Sequence, residues 1–459
     1  MIVPQLRLLF WFALVALPFS VLAAAYPEGQ LWSIALMAGL LIVAAIDAAT
    51  ALGRLKGLTV ELPSILRLSK QRATSIPATV KHADRAPMTF RLGLSIPSDL
   101  RAAKDVAVVH LRAGVESSEV SWPCHPSRRG RFHLSRAFLE GTSRLGLWAV
   151  RASVPVQCEI RVYPDLSRER KSLAALFLNR GAFGIHAQRM VGKGRDFEKL
   201  REYIPGDSFD EIHWKATAKR SHPVTKIFQI ERTQEIYIII DASRLSARKP
   251  AREVNGPGQD NLAAAGDRPS DSAILERFIT SALVLAQAAE KQGDLFGLLT
   301  FSDQVDTFLR AKNGQQHYAA CRDALYTLEA ANVTPDFDEI VSFIRTRLRR
   351  RALLMFLTSL DDPMLAESFT RNMALLAGQH LVLVNMILPP GVSPLFSRQD
   401  VTQLDDLYRH LGGHLQWQRL QELQRTLQYR GVRFSLLHNE RMSTELVSQY
   451  LGVKQRQLI

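Results

Sequence analysis

Two uncharged apolar runs open the chain, over residues 8–25 and 31–46. Each run approaches the length that a helix needs to cross a bilayer, and the second is a little short. The turn between them, "YPEGQ", has Glu28 as its one charge. The pattern therefore predicts two membrane spans joined by a tight turn.

The charges outside these runs indicate an orientation. Arg7 precedes the first run, and basic residues follow the second at Arg54, Lys56, Arg67, Lys70 and Arg72. The positive-inside rule therefore predicts a transmembrane helical hairpin over residues 1–57, in the inner (cytoplasmic) membrane with both termini in the cytoplasm. A cleaved signal peptide ending at "VLAAA" is the alternative.

Residues 58–165 change to short alternating runs separated by turn residues. In "QCEIRVYP", Cys158, Ile160 and Val162 point to one side of a strand, and the residues between them point to the other. Several strands with this alternation and spacing predict a small antiparallel β-sandwich.

From residue 231 to 459, continuous apolar strands alternate with helical segments. The strands include "EIYIIIDAS", "LFGLLTFSD", "RALLMFLTSL" and "HLVLVNMIL". This rhythm predicts an α/β domain, a doubly wound parallel sheet covered on both faces by helices. Ligands of such sheets bind beyond the carboxyl ends of the strands. Asp241 and Ser243 follow the first strand at that edge.

Composition narrows the functional classes. The 459 residues are 47% hydrophobic and 22% charged, so most of the chain should fold around cores. A net charge of +14 favours nucleic acid, an anionic membrane or an acidic partner, and the basic residues are spread along the chain. The 3 cysteines have no metal-ligand spacing, which fits a reducing compartment. No phosphate-binding loop, nucleophile elbow or dinucleotide fingerprint occurs, and no small-molecule substrate is evident.

The segment connecting the two soluble parts, residues 166–230, carries a longer motif. Residues 194–232 read "GRDFEKLREYIPGDSFDEIHWKATAKRSHPVTKIFQIER". They resemble the signature of the bacterial family called domain of unknown function fifty-eight. The matching positions are Phe197, Leu200, Arg201, Glu202, Tyr203, Pro205, Gly206, Asp207, Ile212, Trp214 and Lys215. Asp210 and His213 depart from the family's usual Arg and Asp.

This resemblance implies a membrane-anchored protein with a von Willebrand factor A-like domain. It also implies a partner, an AAA+ ATPase of the MoxR type, and a client protein whose assembly or maturation the pair serves. We therefore expect a non-enzymatic adaptor that binds protein and no nucleic acid. A structural membrane protein with a vestigial A-type domain and a metal-assisted hydrolase are the alternatives.

A-type domains hold a divalent cation with Asp-x-Ser-x-Ser, a Thr from a second loop and an Asp after a later strand. The resemblance implies Asp241, Ser243, Thr334 and Asp361 as candidate ligands of Mg²⁺, because hard cations prefer oxygen. The pattern is degenerate, since Leu245 and Ser359 stand where a Ser and an Asp are expected. The polar insertion at 246–270 beside the site is predicted to be either disordered or a lid.

The aromatic residues of the signature lead to one further expectation. Exposed together on a linker, Phe197, Tyr203 and Trp214 would form an apolar patch. We therefore expect them to be buried between the sandwich and the α/β domain. A stacking platform for single-stranded nucleic acid, formed by Trp214 among Lys215, Lys219 and Arg220, is the alternative.

Overall fold

The computed structural model describes residues 1–25, 30–82, 87–112, 114, 116–179, 191–205, 208–229, 234–248, 273–395, 397 and 404–456. The chain divides into two compact units, residues 1–165 and 166–459. The insertion expected at 246–270 lies outside the described residues beyond position 248, and so do Gly206 and Asp207 of the signature.

The first unit begins with strand β1 (Ile2–Pro4) and two apolar helices, α1 (Leu6–Ala25) and α2 (Gln30–Ala51), which contact each other. Among the described residues, α2 is the one helix long and apolar enough to cross a membrane, with a mean hydropathy of 2.2. The apolar part of α1, Leu6–Leu22, is shorter. Large apolar side chains of both helices are exposed, as expected of surfaces that meet lipid.

Two sheets complete this unit and share one core. Besides β1, their strands are β2 (Leu58–Glu61), β3 (Ile65–Ser69), β4 (Thr74–His82), β5 (Met88–Leu94), β6 (Val106–Leu111), β7 (Ser117–Cys124), β8 (Gly130–Thr142) and β9 (Trp148–Tyr163). The larger sheet follows the order β1-β9-β8-β5-β6, with β3 also paired to β9, and the smaller follows β2-β4-β7. All pairs are antiparallel except β3 with β9. The core contains side chains from both sheets, among them Trp122, Phe90 and Ile160.

The second unit contains a two-stranded arm and an α/β domain. The arm consists of β10 (Val191–Glu202), α4 (Trp214–Arg220) and β11 (Val224–Gln229). The domain's strands are β12 (Glu235–Asp241), β13 (Leu295–Phe301), β14 (Val305–Lys312), β15 (Leu353–Leu357), β16 (Leu381–Ile387) and β17 (Arg433–Leu437). Its helices are α3 (Ser167–Asn179), α5 (Ile274–Lys291), α6 (Gln315–Leu325), α7 (Phe337–Arg347), α8 (Pro363–Ala377), α9 (Leu404–Tyr429) and α10 (Met442–Gln455).

The sheet of the α/β domain follows the order β14-β13-β12-β15-β16-β17, and all its strands are parallel except β14. One core lies between the sheet and helices α3, α5, α6 and α10, and a second lies between the sheet and α7, α8 and α9. The doubly wound sheet expected from the continuous apolar strands is therefore present. The strand order reverses between β12 and β15, and ligands of such sheets bind at the carboxyl end of that reversal.

Helix α3 packs on the α/β domain although it precedes the arm. Leu166 and Leu173 belong to the same core as β12 and α5, and Arg277 of α5 donates to Glu169 over 2.9 Å. Residues 166–179 are thus part of the domain's helical layer. The segment 166–230 is therefore not one linker, because residues 166–179 pack on the α/β domain whereas β10, α4 and β11 form the arm.

His380 is buried at the turn into β16, where it is 2% exposed. Neither ring nitrogen has a hydrogen-bond partner. Burial lowers the pKa of His380 below its ordinary 6.5, because the charged imidazolium would lose its hydration. The folded state therefore favours the neutral ring.

We predict that acid destabilises the chain through His380. The unfolded chain takes up a proton near pH 6.5 while the folded chain resists it, so unfolding free energy is lost as the pH falls below about 6.5. Each unit of pKa difference corresponds to about 1.4 kcal/mol. Denaturant unfolding of the full chain between pH 7.5 and 5 measures this loss. It should shrink in His380→Gln and persist in His410→Gln, a control on the partly exposed face of α9; an equal loss in both variants would contradict this assignment.

Candidate functional site

Asp241 ends β12 at the reversal of strand order, and its side chain is completely buried. The backbone N–H of Ser243 donates to Oδ1 over 2.8 Å, and the Thr358 hydroxyl donates to Oδ2 over 2.6 Å. Ser246 Oγ donates to the main-chain carbonyl of Asp241 over 2.6 Å. The carboxylate therefore joins the turn after β12 to the segment that follows β15.

Burial raises the pKa of the Asp241 carboxyl, and the hydrogen bonds from Ser243 and Thr358 oppose this effect. Because the folded-state pKa is raised, the ionised form destabilises the fold as the pH rises through the carboxyl's titration range. A neutral amide at this position would avoid that penalty while keeping an oxygen that accepts a hydrogen bond.

The other three candidate ligands have different surroundings. Ser243 is buried, and its hydroxyl accepts a 3.3 Å bond from the N–H of Leu245. Thr334 is exposed on a loop held beside the β12 turn, where Arg244 N–H donates to Val333 over 3.0 Å. Asp361 forms an ion pair of 2.5 Å with Arg248. The structure thus brings together Asp241, Ser243 and Thr358, while Asp361 pairs with a cation from the chain itself.

The surroundings of Asp241 and Asp361 fit a hydrogen-bonded turn better than a Mg²⁺ site. Mg²⁺ requires near-octahedral oxygen ligands, and both Asp241 carboxylate oxygens already accept bonds from protein donors. The Arg248 guanidinium supplies positive charge at Asp361, and Leu245 is fully buried. Within the described ranges, no cluster of three or more His, Cys, Asp or Glu could hold a metal ion.

Sequence reasoning missed Thr358 and Arg248. Thr358 follows β15 directly in "FLTSLDD", and a hydroxyl at the carboxyl end of a buried strand was the available signal. Arg248 lies in the turn after Asp241, and nothing in its local sequence indicates a partner at position 361.

The signature residues form the arm. Its strands β10 and β11 are antiparallel, and Ile212 bridges to Thr225. His213 N–H donates to the carbonyl of Val224 over 2.8 Å, and Tyr203 N–H donates to that of Pro223 over 3.0 Å. These bonds fold the segment between the strands back onto the hairpin.

The burial predicted for Trp214 is wrong, because its side chain is 68% exposed. It is the first residue of α4, a helix of 7 residues none of which is buried. Ile204 and Phe209 are also exposed, at 52% and 73%. Tyr203 is half-buried and stacks on Phe209 with 6.3 Å between ring centroids. The side chain of Phe197 lies outside the described residues.

The remaining signature positions are partly or fully accessible. Leu200 and Arg201 are half-buried on β10, whereas Pro205 and Lys215 are exposed. Lys219 and Arg220 in the last turn of α4 are exposed as well. Three large apolar side chains, Ile204, Phe209 and Trp214, are therefore accessible on an arm that also carries exposed basic groups.

Comparison with known proteins supports the resemblance. The family model described as "Protein of unknown function DUF58" matches residues 199–254 and 270–391, which include most of the arm and much of the α/β domain. The resemblance drawn from the signature is therefore confirmed for this part of the chain.

Among curated relatives, an uncharacterized protein of Mycobacterium bovis is 22% identical over 209 residues, which are 45% of this chain and 59% of the relative. BatB from Bacteroides thetaiotaomicron is 13% identical with a TM-score of 0.30, over 49% of this chain and 99% of BatB. The VWA domain of SpRpn10 is 10% identical with a TM-score of 0.27, over 47% of this chain and 95% of that domain. The fold of the α/β domain is assigned from its own strand order.

The contacts of Asp241 predict different outcomes for two substitutions. Asp241→Ala leaves the Ser243 N–H and the Thr358 hydroxyl without acceptors in a buried position, at about 1–3 kcal/mol for each. Asp241→Asn keeps an acceptor and removes the buried charge, so its unfolding free energy at pH 7.5 should lie within about 1 kcal/mol of the parent.

Chemical unfolding of the full chain measures both differences. The same samples should show no shift of the melting temperature with millimolar Mg²⁺ or Mn²⁺. A metal-dependent shift in the parent that disappears in Asp241→Asn would contradict this description of the site.

Proposed function

We propose that this chain, which carries the DUF58 region, is a non-enzymatic membrane-anchored adaptor that binds a partner protein through its arm. In line with the resemblance of its signature, the proposed partner is an AAA+ ATPase of the MoxR type, acting with the chain on a client protein. The chain spans 59% of the length of the curated relative it matches, so the partner is a proposal for this chain.

The observation that carries this proposal is the exposure of the arm. Ile204, Phe209 and Trp214 are all more than half exposed on one short arm. Exposed apolar side chains grouped in this way are typical of interaction sites. Aromatic residues are enriched at protein interfaces, where Trp in particular dominates binding energy. Exposed Lys215, Lys219 and Arg220 favour a partner surface that carries acidic groups.

The surroundings of the reactive groups support a role without catalysis. Asp241 is completely buried, and both its carboxylate oxygens accept protein hydrogen bonds. Burial raises the pKa of the Cys321 thiol to about 12 and also raises the pKa of Cys124 and Cys158, so the reactive thiolate is disfavoured in all three. We accordingly propose that the Asp241 turn holds the sheet edge together and needs no Mg²⁺.

The ends of the apolar helices support anchoring by a two-span hairpin. Before α1, strand β1 pairs with the start of β9, and Gln5 N–H donates to the carbonyl of Leu147 over 2.9 Å. After α2, the chain continues into the same β-unit. Both ends of the hairpin therefore meet one folded body, which favours their lying on one side of the membrane. The basic residues Arg7, Arg54 and Lys56 support a cytoplasmic location for that side.

Two alternatives differ in what they predict. If the chain were a structural membrane protein with a vestigial A-type domain, its capture would recover no AAA+ ATPase through the arm. A metal-assisted hydrolase would lose turnover in Asp241→Asn and would respond to added metal. If Trp214 and the basic groups bind single-stranded nucleic acid instead, capture of the chain should recover nucleic acid.

We predict that Trp214→Ala removes partner binding and leaves the fold intact. Truncating a central interface Trp typically weakens binding by about 2 kcal/mol or more, which is roughly 30-fold. Because Trp214 is exposed, its replacement should change unfolding free energy by no more than about 0.5 kcal/mol. The measurement is affinity capture of the full chain from cross-linked membranes, with quantification of AAA+ ATPases by mass spectrometry.

Tyr429→Ala is the matched control, since Tyr429 is 91% exposed at the end of α9. It should capture the ATPase as the parent does. Equal ATPase recovery with Trp214→Ala and the parent would contradict the role of the arm. Recovery of nucleic acid with the parent, lost in Trp214→Ala, would favour the stacking alternative instead.

A further inference from the structure

Asp47 lies near the C-terminal end of α2 and is 2% exposed. Its carboxylate accepts bonds from three groups of one loop, namely the hydroxyl of Ser143 at 2.6 Å, the N–H of Leu145 at 3.1 Å and the N–H of Leu147 at 3.3 Å. Next to it, Trp148 Nε1 donates to the carbonyl of Ala44 over 2.8 Å. The loop between β8 and β9 is therefore bonded directly to the end of the apolar helix.

The loop consequently lies where α2 ends. Residues 31–46 of the chain are uncharged, and Asp47 is the first ionisable residue after them. Trp32 near the start of α2 is 80% exposed, and Trp148 lies at its end. Tryptophan is enriched at both membrane–water interfaces. If α2 crosses the bilayer, the loop is held at the level of the lipid headgroups.

Basic side chains surround this position. Arg54 donates to the carbonyl of Thr142 over 2.5 Å, after Gly53 has ended α2 with a φ of +92°. Arg7 lies over Gly146, since its Nη1 is 3.1 Å from where a β-carbon of Gly146 would be. Lys56 and Arg144 are exposed nearby in sequence, and Leu52 and Leu145 are 65% and 56% exposed. We call Arg7, Leu52, Arg54, Lys56, Arg144 and Leu145 the collar.

We propose that the collar binds the phosphate groups of anionic phospholipids, with Leu52 and Leu145 entering the acyl layer. This inference rests on the membrane anchoring proposed above. Four cations spread around the end of α2, next to exposed leucines, match a layer of headgroups better than one dissolved phosphate ion. A basic side chain near an anionic bilayer strengthens binding by about fivefold.

The test uses the full-length chain in neutral detergent with equal amounts of phosphatidylglycerol and phosphatidylcholine. Native mass spectrometry counts the lipids that remain bound. The parent should retain phosphatidylglycerol in preference. The triple variant Arg54→Gln/Lys56→Gln/Arg144→Gln should lose on the order of a hundredfold of that preference, since each of the three lost charges removes about fivefold.

A matched variant, Arg345→Gln/Arg349→Gln/Arg351→Gln, removes the same charge from exposed positions at the end of α7 and should behave as the parent. Because Arg54 also bonds to Thr142, the double variant Lys56→Gln/Arg144→Gln repeats the test with that bond intact. Equal lipid preference in the collar variants and the matched variant overturns the inference. Full displacement of the bound lipid when inorganic phosphate is added to the parent overturns it as well.

Failure of the anchoring itself gives a different result. A chain that leaves the membrane fraction in a carbonate wash overturns the anchoring and the collar together. A chain that stays in that fraction but retains both lipids equally overturns the collar alone.

Discussion

The arrangement of the first unit depends on the hydrogen bonds that the Asp47 carboxylate accepts. The apolar side chains of α2 do not fix its direction relative to the β-unit, and three hydrogen bonds from the 143–147 loop to Asp47 supply that constraint. A buried carboxylate without such partners would be strongly unfavourable, so the loop and the helix end require each other. Together with β1 on β9, this contact joins both ends of the apolar hairpin to one folded body.

Asp241 uses the same chemistry for a different purpose. It too is a buried carboxylate that accepts bonds from a hydroxyl and a backbone N–H, and these bonds join two neighbouring parallel strands at their carboxyl ends. The Arg248–Asp361 ion pair neutralises the one other acid expected there. We propose that a sheet edge held in this way needs no divalent ion, and Phe209 and Trp214 are exposed on the arm. The proposed adaptor function follows from this division between a closed sheet edge and an accessible arm.

The sequence predicted the parallel strands of the α/β domain well and the contacts between their ends poorly. Unbroken apolar strands such as Ile236–Ile240 indicate a sheet buried on both faces, because a strand with one face in water would alternate apolar and polar residues. The contacts of Asp241 with Thr358 and of Arg248 with Asp361 join residues 117 and 113 positions apart, and Asp47 and Ser143 are 96 apart. No local pattern encodes such pairs. Trp214 was misjudged for another reason: a high aromatic content indicates that a surface must be covered, and it does not say whether the chain or a partner covers it.

The proposed adaptor requires a two-span hairpin whose two ends lie on the cytoplasmic side with the arm and the α/β domain. Labelling with a membrane-impermeant thiol reagent tests it most directly, because all three native cysteines are buried and should react little. Single cysteines would be introduced as Glu28→Cys, Lys56→Cys and Tyr429→Cys and probed in right-side-out and inside-out vesicles. This topology predicts reaction of Glu28→Cys in right-side-out vesicles alone, and of Lys56→Cys and Tyr429→Cys in inside-out vesicles alone. Reaction of Glu28→Cys and Lys56→Cys from the same side would contradict it.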